Sequence, residues 1–329
     1  MQISLSAEDL TRVRFTISPL WETVTSVRAL QLGTRMHRPW ISDATTRILA
    51  SPDPQKQDHL RLLTTLIRPT GYIADSLTPT PLRQDTFEAG LAAVGAVAPE
   101  LWIRDLDYLF ATGLEETRMK EVRAIRDDPE SEIPRIVAAL HWYWETAVEP
   151  FWPRLRAMLL ADLDYRLALL AEHGIHQVFN TLHPNVRLTR DGIEVTANCD
   201  GSHHASPGNG LILVPSAFVW PRTLVLDVDP FVPTLTYAPR GVGRLWENTR
   251  EVKDSPVAQL LGHTRAQILA QLDLPMTTTQ LACALDLAAG TVNGHLKVMA
   301  ASGLTDTIRA GREVFYRRAD LGEDLLARA

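Results

Sequence analysis

A run of polar residues near the carboxyl-terminal end of the sequence has side chains of the types that read a nucleic-acid duplex. Thr291, Asn293 and His295 stand at alternate positions, and Lys297 follows two residues later. Hydroxyl, amide and imidazole groups can hydrogen-bond to base edges in the major groove, whereas a lysine ammonium group neutralises a backbone phosphate. These residues therefore indicate a segment that binds double-stranded DNA.

A second basic segment follows it. Arg309 and Arg312 flank Ala310-Gly311, a dipeptide that predicts the tip of a short β-hairpin. Residues 288 to 318 contain five basic and two acidic side chains, a local balance of +3, although the whole chain of 329 residues has a net charge of −6. A polyanion is the partner expected for this local excess of positive charge.

The elements that must position these side chains begin near residue 255. Ser255-Pro256 supplies a cap and a first turn for a helix that continues to Leu272. Thr277 with Gln280 three residues later predicts a second, shorter helix.

A third helix is predicted from about Gly290 to Ala301, with the polar residues on its other faces. Its predicted buried positions are Val292, Leu296 and Met299. The hairpin follows, and Asp320 with Glu323 begins a last helix. This order of elements is typical of a winged helix-turn-helix, in which the third helix enters the major groove.

Three motifs stand in this segment: Thr291-Val-Asn-Gly-His-Leu-Lys-Val-Met299, Ser302-Gly-Leu304 and Gly311-Arg-Glu-Val-Phe-Tyr-Arg317. Over residues 255–329 they resemble the DNA-reading half of ArsR-like transcriptional regulators. The resemblance implies a repressor that binds a two-fold symmetric operator as a homodimer, with Thr291, Asn293 and His295 near base edges.

Further upstream, three motifs resemble a long-form subgroup of such regulators. They are Gly210-Leu-Ile-Leu-Val-Pro215, Phe218-Val-Trp-Pro221 and Pro239-Arg-Gly-Val-Gly-Arg-Leu-Trp246. Members of this subgroup have a large N-terminal domain of unassigned role, so the likeness brings no function with it.

The sequence departs from the family pattern in two respects. Metal-sensing members carry a Cys-x-Cys pair where this chain has Thr277 and Thr279, and Cys283 alone cannot build a soft metal site. We therefore predict no metal there. Ala288 replaces a common serine cap and Gly294 replaces a common arginine, so we expect modest affinity for DNA.

Two domains are predicted. Residues 1–252 form a mixed α/β domain with a regulatory or dimerisation role, and residues 253–329 form the winged helix-turn-helix DNA-binding domain. The first part reads as mainly helical, with caps at Ser6 and Ser18. Further helices are predicted over residues 86–97, 133–148 and 154–172. Between about residues 175 and 240 the pattern becomes strand-rich. The predicted strands are 177–182, 193–198, 210–215, 223–227 and 234–237, with a turn at Arg190-Asp191-Gly192. The fold class is α+β.

Two groups in this N-terminal part invite a functional interpretation. One is a dense aromatic patch, which predicts either core packing or the wall of an effector pocket for a small molecule. Its members are His141, Trp142, Tyr143, Trp144, Phe151 and Trp152. In the pocket interpretation, His141, Trp142 and Trp144 line the wall, and His141 or Glu145 orients the ligand.

The other group contains potential metal ligands: Cys199, His203 and His204, with His173, His176 and His183 upstream. The alternative function is an enzyme or a metal-binding protein that uses region 173–204, with the winged helix making protein contacts. We favour a solvated loop, with no metal and no cofactor.

Composition excludes several classes of protein. With 45% hydrophobic and 22% charged residues, the chain is typical of a globular protein, and its longest apolar runs are about half of the roughly 20 residues that a membrane helix needs. The acidic start at Glu8 and Asp9 does not resemble an export signal, so we expect a cytoplasmic protein that makes no membrane contact. Common catalytic motifs are missing, so we assign no catalytic residue and expect no enzyme.

Overall fold

The computed structural model describes residues 2–50, 54–81, 85–111, 113, 116–189, 192–196, 208–246, 256–272, 276–285, 287–310 and 313–327. The chain forms two compact units, Met1–Pro239 and Arg240–Ala329. The boundary predicted between residues 252 and 253 lies outside the described residues. The fold class is mixed α+β, as the sequence predicts. In the part of the chain that is described, no helix is both long enough and apolar enough to cross a membrane.

The first unit is built mainly of helices. They are α1 (Ala7–Thr11), α2 (Pro19–Leu32), α3 (Arg38–Leu49), α4 (Pro54–Leu66), α5 (Phe87–Gly95), α6 (Pro99–Ala111), α7 (Glu116–Asp127), α8 (Pro129–Tyr143) and α9 (Trp152–Leu182). A π-helix, Trp144–Val148, and a 3₁₀ turn, Glu149–Phe151, join α8 to α9.

Side-chain caps begin several of these helices where the sequence predicts them. Ser6 and Asp9 form a reciprocal capping box at α1, and the Ser18 hydroxyl accepts a hydrogen bond from Trp21 N ahead of α2. Gly33, with φ 61°, ends α2 in the left-handed region that glycine enters without strain. Helix α8 begins earlier than predicted because the Asp128 carboxylate caps it.

Helix α9 reverses its direction at Gly174, where φ is 74° and ψ is 177°. Arg166 Nη1 donates to Thr181 Oγ1 at 2.7 Å, although 15 residues of straight helix would separate these positions by about 22 Å. The two arms of α9 therefore fold back against each other. The strand predicted over residues 177–182 is wrong, because these residues form the second arm of the helix.

Two small sheets complete the first unit. Their strands are β1 (Gln2–Ser4), β2 (Arg14–Phe15), β3 (Val186–Thr189), β4 (Gly192–Val195), β5 (Ile212–Pro215), β6 (Leu224–Leu226) and β7 (Thr234–Tyr237). One sheet has the antiparallel order β1-β4-β3, and the other has the order β2-β5-β7-β6, with β2, β5 and β7 parallel. The strands predicted near β4, β5, β6 and β7 are confirmed, whereas residues 190–191 and 197–198 lie outside the described part.

The second unit contains α10 (Pro256–Leu261), α11 (His263–Gln271), β8 (Met276–Thr277), α12 (Thr278–Leu285), α13 (Ala289–Ala301), β9 (Thr305–Ala310), β10 (Glu313–Arg318) and α14 (Asp320–Ala327). The strands form an antiparallel sheet of order β8-β10-β9. One helix was predicted from Pro256 to Leu272, but Gly262, with φ 83° and ψ 150°, separates α10 from α11. The core of the unit joins α11, α12 and α13 to Leu304 and Tyr316.

Candidate functional site

Helix α13 is the element on which most of the predicted DNA-binding residues lie. Its apolar positions Val292, Leu296 and Met299 are fully or almost fully buried, as their spacing predicts. Ala288 is the N-cap residue of the helix, and its methyl group cannot accept a hydrogen bond. Thr291 N and Val292 N donate to the Ala288 carbonyl oxygen. The helix is therefore held by its buried stripe rather than by a side-chain cap.

The opposite face of α13 is exposed and has little side-chain bulk at its centre. This face contains Gly290, Gly294 and Lys297. Each of them precedes a buried residue of the stripe by two positions, which places it about 200° around the helix from that residue. A Cβ atom added at either glycine would meet no heavy atom within 4 Å. This face is open to close approach by another molecule.

The polar residues predicted on α13 are divided between its exposed face and its flanks. Thr291 and Lys297 are exposed, whereas Asn293 and His295 are half-buried, one position away from the buried stripe on either side. Thr291 and Asn293 lie in the first half of the helix. All four side chains belong to one element, and Lys297 lies beside Gly290 and Gly294 on its outer face.

The β9–β10 hairpin contributes further positive charge. Arg309 on β9 is exposed, and Arg317 on β10 pairs with Asp306 at 3.3 Å, with both side chains about half exposed. Within the described residues, Lys297 and Arg309 make no ion pair, so their charges remain available to an anionic partner. Arg312, the remaining predicted contact, lies outside the described residues.

Among the residues predicted to line an effector pocket, His141 and Trp144 both lie against the ring of Phe87, with centroids 6.2 and 4.5 Å away. His141 and Glu145 are exposed and face each other across one helical turn, with Nδ1 3.4 Å from Oε2. Trp142 packs against the ring of His59, with centroids 5.8 Å apart, whereas Trp144 stacks on Phe87 at 4.5 Å. Trp144 is part of the core, which is one of the two roles that the sequence leaves open.

The residues predicted as metal ligands are dispersed where they are described. His173 lies beside Glu172, and His176 is hydrogen-bonded to Asn180. His183 accepts from Asn185 N and bonds to the Pro221 carbonyl oxygen. Cys199, His203, His204 and the side chain of Cys283 lie outside the described residues. Over the described ranges, no three histidine, cysteine or acidic side chains form a group that could hold a metal ion.

A buried carboxyl group that was not predicted from the sequence, that of Glu22 on α2, lies at the end of strand β5. Glu22 is fully buried, and it accepts hydrogen bonds from Ala217 N at 2.7 Å and Ser216 Oγ at 3.1 Å. Burial raises the pKa of Glu22 to about 7, although hydrogen bonds from Ala217, Ser216 and Phe218 oppose this increase. Helix α2 is buried around nearly its whole circumference, and this continuous apolar and small-residue pattern is the signal that could have found Glu22.

His37 lies against the same segment. Its ring is 5.0 Å from the ring of Phe218 and bonds to the backbone of Ala217. Burial lowers the pKa of His37 to about 4, so the imidazole is neutral at pH 7. Glu22 and His37 together hold the turn that follows β5 from two helical elements.

Two more buried acidic groups join distant elements of the first unit. Asp162 pairs with Arg166 and accepts from the Tyr237 hydroxyl at 2.8 Å, which ties α9 to the end of β7. Asp105 accepts from Ser76 N and from Ser76 Oγ, at 2.7 and 2.6 Å. The partners of these groups belong to the protein itself, and each set of bonds joins two separate elements of the first unit.

Comparison with known proteins covers part of the first unit. Residues 112–241 match a protein family described as "Family of unknown function (DUF5937)". The match covers less than half of the chain and ends before α10 begins. No curated protein and no solved structure matches the sequence.

Proposed function

We propose that the protein is a sequence-specific DNA-binding transcriptional regulator that binds through its second unit. The observation that carries this proposal is the open outer face of α13 beside a hairpin that bears exposed Arg309. The order from α10 to α14, with the sheet β8-β10-β9, supports a winged helix-turn-helix, in which α13 is the recognition helix and the β9–β10 hairpin is the wing.

Each predicted contact has a role in this proposal. Lys297 and Arg309 neutralise phosphates, together with Arg312 from the hairpin tip, and thereby position the protein on the duplex. Thr291 and Asn293 read base edges from the first half of α13, and His295, one turn beyond Thr291 on the same side of the helix, assists. Because α13 has no side-chain cap, we expect its binding to be modest in strength.

The proposed assembly is a homodimer on a symmetric operator, where it acts as a repressor. A two-fold symmetric pair of recognition helices would bind half-sites about 34–36 Å apart, one helical turn of DNA. The resemblance of residues 255–329 to ArsR-like regulators supports this form. In the proposal, the first unit supplies dimer contacts and an effector site, and an effector acts by favouring one spacing of the two recognition helices.

The test begins with genomic DNA fragments that the full-length protein retains at physiological salt. After these fragments are sequenced, the affinity for the recovered site is measured from about 50 to 200 mM salt. Lys297→Ala and Arg309→Ala should each weaken binding to all sequences and reduce the salt slope by about 1. Asn293→Ala should instead change the preference for a base at one position of the site.

Arg47→Ala serves as the matched control, because Arg47 is an exposed arginine on α3 in the other unit. It should leave the affinity and the salt slope unchanged. Retained fragments without a common site, or binding that is indifferent to all three substitutions in the second unit, would refute the proposal.

A further inference from the structure

The root of the β9–β10 hairpin, the open end at which Thr305 pairs with Arg318, contains a buried arginine. Only 3% of the Arg318 side chain is exposed, and its Nη1 atom donates to Glu323 Oε2 on α14 at 3.0 Å. The backbone N–H of the same residue donates to the Leu272 carbonyl oxygen at 2.9 Å. Arg318 thus joins the hairpin both to α14 and to the end of α11.

One edge of this guanidinium group faces the interior without a partner. The Nε and Nη2 atoms are buried and have no hydrogen-bond partner among the residues that the structure describes. The N–H bonds of these two nitrogens run along the same edge, so they can donate together to one ligand. A buried donor without a partner costs about 1–3 kcal/mol, so this edge needs an acceptor.

On the neighbouring strand, directly opposite Arg318, Thr305 has another buried polar atom. Thr305 and Arg318 are register partners in β9 and β10, so their side chains lie on the same face with Cβ atoms about 4.5–5.5 Å apart. The Thr305 hydroxyl oxygen is also buried and has no hydrogen-bond partner within the described ranges. Two donors and one hydroxyl without partners therefore lie on the same face of the sheet, at one register position.

We propose that these groups bind one water molecule, held by Arg318 Nε, Arg318 Nη2 and Thr305 Oγ1. A water oxygen accepts two hydrogen bonds and donates to a third group, which matches the three bonds that buried waters usually make. The charge of the site selects a neutral ligand over an anion. Glu323 already neutralises Arg318, and a buried anion would add a second negative charge beside a single cation at a large desolvation cost.

The bound water completes the root of the hairpin. Beside it, Ala319 N donates to the Leu304 carbonyl oxygen, and a Cβ atom on Gly322 would lie only 2.4 Å from that oxygen. The backbone at this end of the hairpin is therefore closely packed, and the water fixes the hairpin relative to α13 and α14. This inference does not depend on DNA binding, so the two proposals can fail separately.

A high-resolution crystal structure of the full chain tests the site directly. We expect an electron-density peak within about 3.2 Å of Arg318 Nε, Arg318 Nη2 and Thr305 Oγ1. In Thr305→Val, which keeps the shape of the side chain and removes the hydroxyl, the peak should be lost or displaced from residue 305. A wild-type structure without the peak would overturn the proposal.

Equilibrium unfolding gives a second readout. Thr305→Val should increase the unfolding equilibrium constant about fivefold, because a buried hydrogen bond is lost. Thr307→Val is the control, since Thr307 is exposed on the same strand, and it should change the constant less than twofold. Equal effects of the two substitutions would count against a ligand at residue 305.

The same measurement with sodium formate or sodium nitrate in place of sodium chloride, at constant ionic strength, separates water from an anion. Wild type and Thr305→Val should respond alike to the exchange of salts. Stabilisation of the wild type alone would show that the ligand is an anion, and the proposal of a bound water would be wrong.

Discussion

The substitution Glu22→Gln should remove a large pH dependence from the stability of the first unit. The pKa of buried Glu22 is raised from 4.5 to about 7, so the folded state binds this proton more tightly than the unfolded state does. The contribution of the protonated carboxyl group is complete below pH 4.5 and is lost as the pH rises through about 7. A shift of this size corresponds to about 3 kcal/mol of unfolding free energy.

The assay is urea unfolding of the wild type and of Glu22→Gln at intervals from pH 4.5 to pH 8. Glutamine keeps an oxygen acceptor for Ala217 N, whose bond to Glu22 is 2.7 Å long, and it does not titrate. The difference in unfolding free energy between the two proteins should change by about 3 kcal/mol in favour of the variant as the pH rises. Glu145→Gln is the control, because Glu145 is exposed. Parallel pH profiles for the wild type and Glu22→Gln would refute the reasoning.

Two further substitutions test the outer face of α13 and the buried bond between Tyr237 and Asp162. Gly294→Ala should stabilise α13 by about 1 kcal/mol, because alanine favours a helix and its Cβ meets nothing within 4 Å, yet it should weaken DNA binding by obstructing the outer face. Thermal unfolding and DNA titration of the same preparation check both effects, and unchanged affinity would place the duplex elsewhere. Tyr237→Phe should lower the free energy of unfolding by about 1–3 kcal/mol, since the buried Asp162 carboxylate loses a donor. Urea unfolding measures this loss, and Tyr165→Phe, at a less buried position, serves as its control.

Several helix boundaries were predictable because the determining group is local. A serine or threonine hydroxyl that caps a helix bonds to a backbone N–H only three residues away, as Ser18, Ser6 and Thr86 do. Gly33 ends its helix through its own backbone conformation. Such signals lie within one turn of the element that they begin or end, so they can be read from a short stretch of sequence.

The strand predicted over residues 177–182 was wrong because tertiary contacts decided between two local interpretations. Residues 177–182 contain β-branched and aromatic side chains, which favour a strand. Their buried members, Val178, Phe179 and Leu182, also fit a helical period, and packing against the first arm of α9 selects the helix. A contact that depends on the reversal at Gly174 has no counterpart in local spacing.

The buried polar groups of the first unit were hidden for the same reason. Glu22 meets its partner Ser216 across 194 positions of sequence, and Asp162 meets Tyr237 across 75. The pairing itself has no local signature, although the apolar and small residues around Glu22 on α2 mark that position as buried. The aromatic patch around Trp144 was visible as a composition, but the directions of its rings depend on the π-helix that follows α8.

The candidate site in the second unit was more accessible, since three buried positions fix the rotation of α13. Once Val292, Leu296 and Met299 face the core, geometry places Lys297 outside and places Asn293 on a flank. Under the proposed function, a flanking side chain reaches a base edge only when the helix axis comes close to the groove. Gly294, at the centre of the outer face, permits that approach, although a glycine lowers the stability of the helix. The glycine and the half-buried Asn293 therefore both favour a close approach of the helix axis to the groove.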